Sequence, residues 1–451
     1  MCKFWGILKA NTLYRYPMVS EIIDKLNSFF KSDFFKNVSI LTSGSIIGQF
    51  ILLGISPVLT RIYSPEHFGI LSLFTSITII ISTFVTGKYE FAIALPEKDE
   101  EGLDILMLCG ILSIIFSLFL AIILCIFKLN FLTLSFFKGG SLWLVLIPVN
   151  TLIAGINTSL IYWHLRKELY KQQSIYNLLQ AVFISLLNVG IGTLGFLNVG
   201  LEISYSISQF LSFVLLIFLS RTYPIRSYIT NGLSIIKLRN VAIRYSNFPK
   251  YYLGSQLLTN LIQQTIPIIF ASIYTASVVG FFALSNRILR LPVIIVSNSI
   301  SGVFRNDALK QLQITGKCDV LLLSTLKKLI FLGLPVLILL YLTLPFLIET
   351  IFGKEWSTAG IYGRLMCAMI FFDFISTPIT QSIFIIKEAQ KSNLIIQIVG
   401  TCLSIIGIYI GYYYYNDAYY SIVFYCFANI IYNLIGLRIA YILSSTHTII
   451  L

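Results

Sequence analysis

The sequence predicts an all-α polytopic membrane protein, with about twelve transmembrane helices in two parallel six-helix lobes around a central cavity. Three observations predict it. Of 451 residues, 57% are hydrophobic and only 11% charged. Mean hydropathy is +0.86. A soluble domain carries about 25% charged residues, so the chain lacks the polar shell that a water-soluble core needs. Lysine and arginine gather in alternate loops. The second half of the chain repeats features of the first.

A spanning helix needs about 20 mostly apolar residues. Such runs fall at roughly 38–60, 68–87, 105–127, 141–163, 174–196 and 200–219, then at 251–273, 278–303, 327–348, 361–386, 394–414 and 419–443. They imply a tail over 1–37, a first lobe over 38–220, a basic linker over 221–250 and a second lobe over 251–451. In the tail, Ile22, Ile23, Leu26, Phe29, Phe30 and Phe34 suit one face of an interfacial helix. The tail has no signal-peptide core.

The loops on the N-terminal side hold 24 of the 32 Lys and Arg, and the opposite loops hold four: Arg61, Lys128, Lys138 and Lys354. Basic loops stay in the cytoplasm. Both termini are therefore expected on the cytoplasmic side of a plasma membrane. The net charge of +13 reports topology and not a nucleic-acid surface.

The repeat reads in parallel register. Gly44-Ser45, Pro57, Ile62-Tyr63 and Gly69 recur as Gly254-Ser255, Pro267, Ile273-Tyr274 and Gly280, at an offset of 210 and then 211. Lys167-Glu168 and Lys171 recur as Lys387-Glu388 and Lys391, at offset 220. Both halves start on the same side, so their pseudo-two-fold axis follows the membrane normal. Carriers of this kind hold substrate near the midplane, at the interface of the repeats.

Charges within the spans mark the candidate site. Arg287 and Arg290 lie near the centre of the eighth span. An arginine facing lipid there costs about 2.5–3.5 kcal/mol. Their i, i+3 spacing puts them on one face, with Asn298 three turns on. Two readings stand: an anion site in a wet cavity, or pairing with Asp373 or with helix ends. Asp373, in the tenth span, neutralises an arginine or carries a coupling ion. Arg364 snorkels outward or reaches an outward-open cavity. Gln263 belongs to a set of in-span amides with Gln49, Asn150, Asn157, Asn177, Gln180, Asn188, Asn260 and Gln264. Such amides bond helices together or meet sugar hydroxyls.

The segment 88–96 and the acids Glu97, Asp99, Glu100, Glu101 and Asp104 form a solvated loop or a gate at the cavity mouth. No phosphate-binding loop, metal-ligand spacing or nucleophile elbow occurs. The seven cysteines suggest neither disulfide nor metal site. No cofactor and no catalytic residue are expected. A polymerase or glycosyltransferase would need a larger outer loop.

The ordered set Leu59-Thr60-Arg61-Ile62-Tyr63-Ser64-Pro65-Glu66-His67-Phe68-Gly69, Lys88-Tyr89-Glu90-Phe91-Ala92-Ile93-Ala94-Leu95-Pro96, Leu284-Ser285-Asn286-Arg287-Ile288-Leu289-Arg290-Leu291-Pro292 and Ile351-Phe352-Gly353-Lys354-Glu355-Trp356-Ser357-Thr358-Ala359-Gly360 resembles one family. It is the polysaccharide-transport branch (Wzx-type O-antigen flippases) of the multidrug/oligosaccharidyl-lipid/polysaccharide exporter superfamily. The resemblance implies a bacterial inner-membrane flippase, with a cationic cavity and an undecaprenyl-diphosphate-linked oligosaccharide as cargo. Arg287 and Arg290 fit the cationic lining. Implied partners are membrane lipids, a polysaccharide polymerase and a chain-length regulator. The alternative within the superfamily is a cation-coupled multidrug exporter.

Overall fold

The computed structural model describes residues 33–126, 142–220 and 234–446. Of the interfacial face expected from Ile22 to Phe34, residues 22–30 lie outside them, and Phe34 falls in the first turn of the first membrane helix, which begins at Asp33. The described residues form helices joined by short links, with no strand. In the first lobe these are α1 (Asp33–Gly54), α2 (Ser56–Ile62), α3 (Pro65–Ser82), α4 (Asp99–Ile126), α5 (Leu142–Arg166), α6 (Tyr170–Thr193) and α7 (Leu197–Leu219). A linker helix α8 (Ile235–Arg244) follows. The second lobe contains α9 (Leu253–Ile273), α10 (Ala276–Thr315), α11 (Asp319–Phe352), α12 (Ser357–Ile386), α13 (Gln390–Tyr415) and α14 (Ala418–Ser445).

Eleven spans among the described residues are long and apolar enough to cross a membrane, α1 and α2 together making one. The twelfth place is held by α9, 21 residues long and roughly 31 Å end to end. Its Gln256, Asn260, Gln263 and Gln264 lower its hydropathy, and the contacts below account for Asn260 and Gln264.

The spans are apolar towards lipid and small or polar towards their neighbours. In α4, Ile114, Ile115, Leu118, Phe119 and Ile122 are exposed while Cys109, Ser113 and Ser117 are buried. In α7 the ladder Ser204, Ser208 and Ser212 is buried opposite Phe210, Val214 and Phe218. Lipid tails supply no hydrophobic drive between helices, so small residues and hydrogen bonds hold them together. Asn150 Nδ2 donates to Ser206 Oγ at 2.7 Å, and Asn177 Nδ2 to Ser45 Oγ at 2.8 Å. For these amides the bonding role is the one observed.

The duplication extends to individual hydrogen bonds. In the α5–α6 turn, Lys167 N–H donates to Trp163, Glu168 N–H to Leu165 and Leu169 N–H to His164. In the α12–α13 turn, Lys387 N–H donates to Ile383, Glu388 N–H to Ile385 and Ala389 N–H to Phe384. Glu168 and Glu388 both adopt left-handed backbone, with φ of 54° and 50°. That conformation costs a residue with a Cβ about 1–2 kcal/mol. Glu168→Gly and Glu388→Gly are each expected to raise the thermal midpoint in detergent, by similar amounts. Lowered midpoints would show that the glutamate side chains matter more than the backbone strain.

The lobes meet chiefly where α3 packs on α9 and α10. Ser76 Oγ donates to Gln264 Oε1 at 3.0 Å, and Asn260 Nδ2 to Thr83 Oγ1 at 2.7 Å. Two of the polar residues of α9 are therefore glue between the lobes.

On the lysine-poor side the two lobes are in close backbone contact near the starts of α3 and α10. Gly69 in α3 crosses Gly280 in α10. A Cβ on Gly69 would lie 1.7 Å from the Ala276 carbonyl oxygen, and one on Gly280 would lie 1.9 Å from that of Pro65. Pro65 and Ala276 stand at the same 211-residue offset as the two glycines, so the contact is pseudo-symmetric. Trp356 is fully buried beside it; its Nε1 donates to Thr60 O at 3.1 Å, and its ring lies 5.0 Å from that of Phe68. The α3 helix starts sharply here because Ser64 and His67 cap it and Pro65 opens it.

On the basic side, segment 88–96 is a tight turn packed on the first lobe. Glu90 is buried against Thr86, with Lys88 Nζ at 3.3 Å. Asp99 pairs with Arg166 and Lys167, and Glu101 with Arg244 at 2.7 Å. Glu101 Oε1 also accepts from Tyr245, whose hydroxyl is held above the usual tyrosine range by burial and by that bond. The acids thus clasp α8 and the α5–α6 turn. Phe91 touches Tyr252 at 4.6 Å between ring centres, which ties this turn to the start of the second lobe.

Candidate functional site

A cavity of about 580 Å³ lies within the second lobe, walled by α9, α10, α12, α13 and α14. Its lining runs from Pro267, Phe282 and Tyr425 in the lysine-poor half, past Arg290 and Asp373 at mid-span, to Asn393, which sits just after the basic-side turn. Both Arg290 and Asp373 face into it. Arg290 Nη2 lies 3.1 Å from Asp373 Oδ2, and Asn433 Nδ2 donates to Asp373 Oδ1 at 2.7 Å. Arg290 Nε donates to Asn286 Oδ1 at 2.7 Å. Each charge therefore has its counter-charge and a neutral hydrogen-bond partner, as a polar group at bilayer depth requires.

Arg287 does not line this cavity. One helical step of three residues turns the side chain by about 60°, enough to point it at the first lobe. Its Nη2 donates to Leu52 O at 2.8 Å. That carbonyl sits where the first span breaks between α1 and α2. Pro57, which has no N–H, opens α2, and Ser56 Oγ shares the Leu52 carbonyl at 2.7 Å. The two arginines thus serve different walls: Arg290 the cavity of the second lobe, Arg287 the contact between lobes. The partners expected for them, Asp373 and a helix end, are both present.

The remaining expected residues separate likewise. Gln263 lines the cavity. Arg364 does not; its Nε donates to Tyr341 O at 3.0 Å and its guanidinium lies over the Tyr341 ring at 5.4 Å. Asn298 is on α10, two turns beyond Arg290, and its side chain lies outside the described residues.

Asp373 stands out in the sequence as an acid deep in a span. Glu202, near the start of α7, is also buried, at 2% exposure. Its position close to a span end hides it; the apolar residues on both sides are the available signal. Most of the neutral cavity lining is equally hidden in the sequence. Gln381, Gln397 and Tyr432 converge from three helices that no local pattern brings together.

Helical lobes related by a parallel repeat, in close contact on one side and hollowed by a polar chamber, define a fold shared with solved membrane transporters. An inward-facing multidrug resistance MATE family transporter of the MOP superfamily aligns with a TM-score of 0.58 at 16% identity, over 90% of this chain and 97% of that one. An outward-facing structure under the same description gives 0.55 at 15%, over 92% and 97%. A point mutant of the Vibrio cholerae MATE transporter VcmN gives 0.51 at 13%, over 90% and 97%. No curated protein matches the chain significantly.

The chain belongs to the polysaccharide biosynthesis protein family, whose pattern it matches over residues 58–360. That span contains all four segments that carried the resemblance, and the expected polysaccharide family is borne out.

Proposed function

We propose that the protein moves an undecaprenyl-diphosphate-linked oligosaccharide from the cytoplasmic to the periplasmic leaflet by alternating access. The observation that carries this reading is the polar cavity, whose lining passes mid-span and runs to Asn393 beside the basic-side turn, with the lobes in close contact on the other side. Family membership supports a saccharide cargo. In this reading the cytoplasmic side is open, and rocking of the lobes breaks the Gly69–Gly280 seal and exposes the cargo outside. Arg287, at the contact between the lobes, donates one N–H to Leu52 O and keeps others for diphosphate oxygens once the lobes rock, since an arginine fork matches phosphate geometry. An inside-negative potential drives net negative cargo outward by about 2.3 kcal/mol per charge per 100 mV.

The test is reconstitution in liposomes with a fluorescent undecaprenyl-diphosphate oligosaccharide. Transfer is followed by access of a membrane-impermeant glycosidase. The wild-type chain is expected to transfer the lipid, and Arg287→Ala to slow transfer at least about tenfold, the effect of losing one charged hydrogen bond of ~1.5–3 kcal/mol. Vesicles that instead extrude an organic cation and leave the lipid untouched would identify a multidrug exporter.

A further inference from the structure

We infer that the cavity of the second lobe is a saccharide subsite, separate from the group that holds the diphosphate. This rests on the lipid-linked-saccharide reading above and assigns one part of that cargo to one place.

Charge is the first argument. The lining carries one cation and one anion, Arg290 and Asp373, and they are paired at 3.1 Å. The chamber is therefore net neutral. A diphosphate needs surplus positive charge, and an organic cation needs surplus negative charge. An uncharged ligand needs neither.

Hydrogen-bonding capacity is the second. Gln263, Gln381 and Gln397 face the cavity from α9, α12 and α13. Among the described residues, none of the three amide groups makes a hydrogen bond within the protein. Each presents two donors and an acceptor. Asn433 and Asn286, by contrast, are engaged with Asp373 and Arg290. Spare amides spread round a chamber suit a ligand that carries many hydroxyls.

Shape is the third. Tyr425 and Tyr432 wall the same chamber. A ring offers an apolar face and a polar tip, which matches the C–H face and hydroxyl rim of a sugar. The volume of 580 Å³ lies within the about 300–1,000 Å³ of small-molecule sites. The lining runs to Asn393, beside the basic-side turn, the end of the chamber nearest a sugar carried on a lipid in that leaflet.

The experiment measures binding of two probes to the full chain in nanodiscs. One is the free oligosaccharide released by mild acid from the surface polysaccharide of the same cells. The other is undecaprenyl diphosphate without sugar. Gln263→Ala, Gln381→Ala, Gln397→Ala and the triple variant are compared with wild type. Because these amides make no bond among the described residues, folding is expected to be unaffected, and the thermal midpoint checks it. Saccharide affinity is expected to fall about fivefold in each single variant and on the order of 100-fold in the triple. Affinity for undecaprenyl diphosphate is expected to stay within about twofold.

If the triple variant binds the saccharide like wild type, or loses undecaprenyl diphosphate to the same degree, the subsite assignment is overturned. If wild type binds undecaprenyl diphosphate but not the saccharide, the subsite alone falls. If it binds neither probe, the lipid-linked-saccharide reading falls with it.

Discussion

Gly280→Ala is expected to prevent closure of the lysine-poor side and to stop transport. The added Cβ would stand 1.9 Å from the Pro65 carbonyl oxygen. The obstacle is backbone, so no rotamer change relieves it, and the helices α3 and α10 must part. Overpacking of this kind costs about 1–3 kcal/mol. A penalty of that size, confined to the sealed state, shifts the equilibrium between states by roughly 5- to 150-fold. Gly69→Ala is expected to act alike, because its Cβ would meet Ala276 O at 1.7 Å. Gly254→Ala is the control, since nothing lies within 4 Å of the Cβ position. The readout is a cysteine at Thr60, which is 5% exposed under Trp356, in a background without the native cysteines. Its labelling by an impermeant maleimide from outside is expected to rise in both seal variants and not in the control. Unchanged labelling with normal transport would remove the seal from the mechanism.

Arg290→Ala carries the second large effect. It leaves Asp373 in the membrane interior with only Asn433 as partner. Breaking a fully buried pair costs about 3–5 kcal/mol. Here ~2 kcal/mol is expected, because the Arg290 side chain is 39% open to the cavity. The measurable result is a lower thermal midpoint in detergent and less protein in the membrane. Arg290→Ala combined with Asp373→Ala removes both charges together and is expected to recover most of that stability. Asp373→Asn alone leaves Arg290 without a counter-charge and is expected to destabilise less, because arginine keeps its bond to Asn286. If the double variant is as unstable as Arg290→Ala, the pair is not the source of the loss. Transport in the folded double variant then tells whether the pair serves only the fold or also the cargo.

Much of the fold is legible in the order of residues alone. The 24-to-4 charge asymmetry and the apolar runs depend only on transfer energies, which act residue by residue. The repeat is legible because its marks are residues with special backbone needs: prolines, glycines and the Lys-Glu turns. The two turns are alike hydrogen bond for hydrogen bond. The candidate site is legible only in part. Arg290 with Asp373 is foreseeable, because a charge at that depth must find a partner. The separation of Arg287 from Arg290 is not, because i, i+3 spacing alone does not say what surrounds the two sides of a helix.

The first and last segments of the family resemblance illustrate the same division. Leu59 to Gly69 and Ile351 to Gly360 are nearly 300 residues apart in the sequence. Nothing local links them, yet Trp356 bonds to Thr60 and packs on Phe68.

About twelve bilayer crossings, a basic side and a duplicated plan can all be read from the order of residues. Hydrophobic transfer and backbone geometry are local, and a sequence displays them directly. Which arginine faces the cavity, which amides bind helix to helix, which stay free and where the lobes touch emerge only from the packed helices. Those outcomes depend on helix rotation and on packing at close range. In a membrane, where lipid and helix surfaces are equally apolar, packing and hydrogen bonds between helices set them, and the order of residues does not display it.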